Sequence, residues 1–125
     1  MKSIAIILAA GKGSRLSTAN EKQFIKVNGY TILEHTLKRF REVFSKKSIL
    51  IVFHHSQTGN KRFNLYNKYT DHNFIVGGHT RKKSVKNSIK YIKSLDKTPE
   101  NILIHDSARP NISTKLINNI KNNIH

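Results

Sequence analysis

Apolar residues fall along this chain in two alternating styles. Short unbroken runs are separated by longer stretches in which apolar residues return every three or four positions. The first run, Ser3 to Leu8, is continuous and rich in isoleucine. That composition suits a strand covered on both faces of a parallel sheet. Ser48 to Phe53, Asn73 to Val76 and Asn101 to His105 repeat the pattern. Between them, Thr31-Ile-Leu-Glu34 reads as a capping box. It opens a helix to about Phe44, with Leu33, Leu37, Phe40 and Phe44 on the apolar face. Asn60 to Tyr69 reads as a weaker helix with Phe63 and Tyr66 inward. Thr80 starts another, carrying Val85, Ile89 and Ile92, and Ser113 caps a last one with Leu116, Ile117 and Ile120. Strands alternating with helices predict an α/β fold: a Rossmann-like, mostly parallel sheet with helices on both faces. The 125 residues make one domain, 1–125.

Composition narrows the classes. With no cysteine, a disulfide framework, a thiolate metal site and a thiol nucleophile are excluded. The same absence fits a reducing, cytoplasmic setting. The longest apolar run, Ile4 to Ala10, is too short to span a bilayer. Behind Met1-Lys2 it imitates a signal peptide, but a Gly-rich turn follows, so it reads as a strand. Twenty-three Lys and Arg against seven Asp and Glu give +16, a field that attracts polyanions without choosing among them. The excess of Lys, Asn and Ile is also what an AT-rich genome produces. Lys82, Lys86, Lys90, Lys93 and Lys97 share one face of the third helix. They read as a solvated face. No aromatic interleaves them and no nucleic-acid module is recognisable, so a non-catalytic basic nucleic-acid-binding domain stands only as an alternative.

Candidate chemistry gathers at strand ends. The first strand runs into Leu8-Ala-Ala-Gly-Lys-Gly-Ser-Arg-Leu16. Gly11 and Gly13 permit close backbone approach to a phosphate, and Ala9 and Ala10 leave a small wall for a flat base. This is neither a Walker A loop nor a dinucleotide fingerprint. Arg15 and Lys22 are either surface cations or a pair aimed at one phosphate chain. In phosphoryl chemistry, positioned cations do most of the catalytic work. Val76-Gly-Gly-His-Thr-Arg81 joins a strand to a helix start, and Ser84 is either a small helical residue or a partner for a base edge. His105-Asp-Ser-Ala-Arg-Pro110 ends the last strand. There Asp106 suits Mg²⁺, Arg109 holds the loop or touches phosphate, and His105 packs on the sheet. All three clusters fall on the carboxyl edge where α/β sheets bind ligands.

Together the motifs resemble the 2-C-methyl-D-erythritol 4-phosphate cytidylyltransferases of the non-mevalonate isoprenoid pathway. LAAGKGSRL, Lys22-Gln23, GGHTRKKSV and HDSARP stand in the family's order and at similar spacing, and the Thr31 helix start also fits. The resemblance implies transfer of CMP from CTP to a polyol phosphate, with a divalent cation, Mg²⁺ or another, on Asp106. It implies that Arg15 and Lys22 stabilise the transition state at the α-phosphate. It places Ala9, Ala10, Gly78 and Ser84 around the cytidine, the backbone of Gly11 and Gly13 at the nucleotide, and Ser107 and Arg109 beside it. Three positions depart from the pattern: Leu8 replaces a proline, Ser107 an alanine, and His79 a frequent acid. Family members are roughly twice this length, so the chain corresponds to the nucleotide-binding half and is truncated against them. The acceptor-binding residues and the arm that makes a homodimer would lie in the other half. The last strand, interior in the family, would here be an uncovered edge. A ribitol-5-phosphate cytidylyltransferase is the nearest alternative, because acceptor choice lies outside these motifs.

Overall fold

Seven consecutive buried residues form the first strand, β1 (Ser3–Ala9). Its odd-numbered members Ala5, Ile7 and Ala9 face one core, and Ile4, Ile6 and Leu8 face another. Only a strand sandwiched between two layers needs apolar residues on both sides. The computed structural model describes residues 2–9, 23–54, 64–107, 109 and 111–123. After β1 come a hairpin of β2 (Lys26–Val27) and β3 (Tyr30–Thr31), helix α1 (Ile32–Arg41), β4 (Ile49–Phe53) and β5 (Ile75–Val76). Helix α2 (Arg81–Lys93), β6 (Asn101–Asp106) and helix α3 (Thr114–Asn123) complete the order.

The main sheet has the order β5-β4-β1-β6, with every pairing parallel. Helices α1 and α3 cover one face through Leu33, Leu37, Phe40 and Ile117. Helix α2 covers the other through Ile92, with Val85 and Tyr91 half-buried beside it. The expected Rossmann-like arrangement is therefore present. Strand β6 lies at the edge, and all six of its residues are half-buried where those of β1 and β4 are buried.

A buried polar knot anchors the first layer. Thr31 and Glu34 complete the capping box reciprocally, the Glu34 N–H donating to Thr31 Oγ1 at 3.1 Å and the Thr31 N–H to Glu34 Oε1 at 3.2 Å. Tyr66 Oη sits 3.1 Å from Thr31 Oγ1, and Tyr69 Oη donates to Glu34 Oε2 at 3.3 Å. Burial, and then the Glu34 carboxylate, push the Tyr69 hydroxyl well above the ordinary tyrosine range. The pairing gives the buried Glu34 the partners such a group requires.

Local expectations need four corrections. The first helix ends at Arg41 rather than near Phe44, although Phe44 stays buried. Of the weak helix between Asn60 and Tyr69, the described part is 3₁₀ turn rather than α-helix, including Asn67–Tyr69. Its Asn-rich sequence has low helix propensity. Tyr66 is inward as expected, and Phe63 lies outside the described residues. Strand β5 has only two residues, since Asn73 and Phe74 stay outside the ladder. Leu116 is 49% exposed rather than core. The β2–β3 hairpin, absent from the reading of the sequence, turns at Asn28-Gly29. Both residues take positive φ, 55° and 84°, as a type I′ turn requires.

Candidate functional site

The register of the sheet brings the described parts of the three motifs to one edge. Ala9 pairs with Phe53 and Phe53 with Val76, so the ends of β1, β4 and β5 form one row. Leu8 pairs with Asp106, which places the end of β6 beside it. The chain leaves the row through hydrogen bonds that continue the ladder. The Gly77 N–H donates to the Phe53 carbonyl at 2.6 Å, and the Ser107 N–H to the Leu8 carbonyl at 3.0 Å. The Gly77-Gly78 turn and the segment after Asp106 thus stand at the same carboxyl edge.

Each segment is fixed from behind. Thr80 caps α2, accepting the Lys83 N–H at 3.0 Å. Ser84, 2% exposed, accepts the Gly78 N–H at 3.1 Å, which holds the glycine turn against the first helical turn and leaves the hydroxyl proton to donate. Asn87 donates to the Val76 carbonyl at 3.1 Å from the next turn. A methyl group on Gly78 would lie 2.6 Å from Lys83 Cβ, so the close packing of turn on helix requires glycine.

The segment after β6 is held from α1. Thr36, fully buried, donates to the Ser107 carbonyl at 2.8 Å. His105 Nε2 lies 3.0 Å from the Arg109 carbonyl, and its ring packs 5.1 Å from that of Phe40, as expected of a packing residue. The Arg109 N–H donates to the Asp106 carbonyl at 3.2 Å, closing a turn. Ser107 is buried and the Arg109 side chain exposed.

Ala9 is fully buried under α1, and its carbonyl accepts from the side chain of Gln23 at 2.7 Å. Ala10, Gly11, Gly13, Arg15 and Lys22 lie outside the described residues. The described residues on either side of them, Ala9 and Gln23, are hydrogen-bonded to each other. Gln23, Thr36, Asn87 and Arg81 are the site-forming residues that motif reading left unassigned. Gln23 and Arg81 stood inside the quoted motifs. Thr36 was visible as a polar residue on the inward stripe between Leu33 and Phe40.

The Asp106 carboxylate is 43% exposed and faces Arg81, whose Nε lies 3.4 Å from Oδ1. No group of three or more His, Cys, Asp or Glu able to hold a metal ion occurs among the described residues. One exposed carboxylate is nevertheless a sufficient protein share for Mg²⁺, which keeps waters and takes its other ligands from substrate phosphates. The donor set fits a cation that arrives with a nucleotide.

Over residues 3–124 the sequence matches the family described as IspD, 2-C-methyl-D-erythritol 4-phosphate cytidylyltransferase. The chain belongs to this family. The enzyme of that name from Thermosipho melanesiensis is 40% identical over 116 residues, which are 91% of this chain and 50% of that protein. The one from Clostridium novyi is 38% identical over 120 residues, 93% of this chain and again 50% of the relative. The crystal structure of 4-diphosphocytidyl-2C-methyl-D-erythritol synthase from Anaerococcus prevotii superimposes with a TM-score of 0.72 at 30% identity. That match covers 97% of this chain and 49% of the other. The chain thus spans about half the length of the curated relatives it matches. No helix among the described residues is long and apolar enough to cross a membrane.

Proposed function

We propose that residues 1–125 form the nucleotide-binding part of a cytidylyltransferase that transfers CMP from CTP to 2-C-methyl-D-erythritol 4-phosphate. The observation that carries this reading is the register that sets the Gly77-Gly78 turn, the end of β1 and Asp106 on one carboxyl edge. In that reaction an acceptor phosphate oxygen attacks the α-phosphorus of CTP. The new P–O bond forms as the bond to the bridging oxygen breaks, and pyrophosphate leaves with the electron pair. The attacking group is already an anion, so no general base is needed.

The residues divide the work. Gly78 and Ser84, with Ala9 and Ala10, hold the cytidine, the Ser84 proton serving an acceptor on the base edge. Gly11 and Gly13 bring backbone amides to the phosphates. Ser107 and Arg109 border the nucleotide. Arg15 and Lys22 stabilise the charge that builds on the equatorial oxygens. A divalent cation on Asp106 would supply further neutralisation of the triphosphate. The location proposed is the cytoplasm, in keeping with a chain that has no cysteine. A homodimer is proposed only for a protein that carries the family's arm.

The test is pyrophosphate release from CTP and Mg²⁺, with methylerythritol phosphate and ribitol 5-phosphate supplied in parallel. Slow release with methylerythritol phosphate alone is expected, because no residue here is assigned to the acceptor. Release with ribitol 5-phosphate alone would move the assignment to the alternative enzyme.

A further inference from the structure

Helix α2 begins with Arg81, Lys82 and Lys83, and its first turn holds no acid. Three cations at the positive end of a helix are mutually repulsive and oppose the helix dipole. Among the described residues, the charge compensation at this helix end comes from another strand. Arg81 reaches Asp106 at 3.4 Å, although α2 follows β5 and Asp106 ends β6. Those strands are the two edges of the sheet, with β4 and β1 between them, a separation of three strand spacings or about 14 Å. The pair therefore links the start of α2 to the carboxyl end of β6, where the motifs converge. Both side chains are well exposed, 61% and 43%. An exposed pair of this kind orients its members yet is weak enough to exchange partners.

We propose that Arg81 is a positioning residue that occupies Asp106 in place of the metal until a nucleotide arrives, and so couples metal binding to nucleotide binding. The inference rests on the reading of Asp106 as the metal ligand. Without nucleotide, a divalent cation must displace the guanidinium from its carboxylate. With nucleotide bound, the triphosphate gives Arg81 a new anionic partner, and Asp106 is released to the cation. A fork of donors can make that change without losing its own pairing, since guanidinium fits phosphate as well as carboxylate. Each ligand then raises the affinity of the other by the same factor.

The experiment is Mn²⁺ binding to the 125-residue chain, followed by electron paramagnetic resonance with and without CTP. It compares the unmodified chain with Arg81→Gln, Arg81→Lys and Asp106→Asn. Arg81→Gln is expected to bind Mn²⁺ about two- to five-fold more tightly without CTP, the range an exposed ion pair supports, and to lose the same factor of Mn²⁺–CTP coupling. Arg81→Lys keeps the charge and should fall between. If Arg81→Gln leaves both quantities unchanged while Asp106→Asn weakens Mn²⁺ binding, the placeholder role is overturned and the metal site stands. If Asp106→Asn binds Mn²⁺ as well as the unmodified chain, the metal-site reading fails and the proposal with it.

Discussion

The buried side-chain amide of Gln23 donates to the carbonyl of Ala9 at 2.7 Å and ties the end of β1 to the residue that follows Lys22. The bond joins the two described residues that flank the Gly11 and Gly13 segment in the sequence. Its loss leaves a buried carbonyl without its donor, which costs about 1–3 kcal/mol. Gln23→Ala should therefore lower the melting temperature by several degrees and weaken CTP binding. Gln23→Glu should do at least as much harm, because an ionised carboxylate cannot donate. A Gln23→Glu chain with unaltered stability and CTP affinity would show that the bond is dispensable.

Gly78→Ala tests the packing of the glycine turn on α2. The added methyl would meet Lys83 Cβ at 2.6 Å, and that atom cannot swing aside without moving the helix. Overpacking of this kind costs about 1–3 kcal/mol. The strain should appear at the turn, as a loss of CTP affinity of about tenfold or more. Calorimetric titration of the variant would check it, and an unchanged dissociation constant would argue that the turn does not meet the nucleotide.

Tyr69 gives a pH signature. Its hydroxyl is buried beside Glu34 and stays protonated in the fold well beyond the ordinary range. An unfolded tyrosine ionises near about pH 10. Below that pH both states hold the proton and Tyr69 adds no slope. Above it the unfolded chain alone loses the proton, so stability falls as pH rises. Tyr69→Phe should be less stable at neutral pH by about 1 kcal/mol, for the lost hydrogen bond. The gap should narrow on going from pH 8 to pH 11 in urea denaturation. A constant gap would mean that the hydroxyl is not held protonated by the fold.

The open edge at β6 has a further consequence. Ile102, Leu103 and Ile104 are half-buried on a strand of six residues whose outer side pairs with no strand among the described residues. Such edges pair with other strands. Sedimentation should show concentration-dependent association of the chain, and a clean monomer at high concentration would count against this.

Strands β1 and β4 and the three α-helices were legible from periodicity, because each buries apolar residues and burial sets the pattern. Thr31, Thr80 and Ser113 marked helix starts for a local reason, the need to satisfy free amides. The reading failed at short elements even where they are buried, as Tyr66 is. The two-residue β5 and the 3₁₀ turns around Tyr66 owe their form to tertiary contacts such as the Thr31–Glu34–Tyr69 knot, which no local pattern encodes. Motifs placed Asp106, Gly78 and Ser84 on one edge correctly. They did not reveal what holds them, since Gln23, Thr36 and Asn87 act across long sequence separations. Nor did they reveal that Asp106 pairs with Arg81 at the start of α2.

The central claim is that this carboxyl edge is built for CTP. Equilibrium binding of CTP with Mg²⁺ to the 125-residue chain, in competition with ATP and GTP, tests it most directly. The account predicts measurable CTP binding that Asp106→Asn weakens and that equal concentrations of ATP or GTP do not displace. Equal displacement by all three nucleotides, with affinity falling steeply with salt, would contradict it and would mark the chain as a basic surface that attracts polyanions.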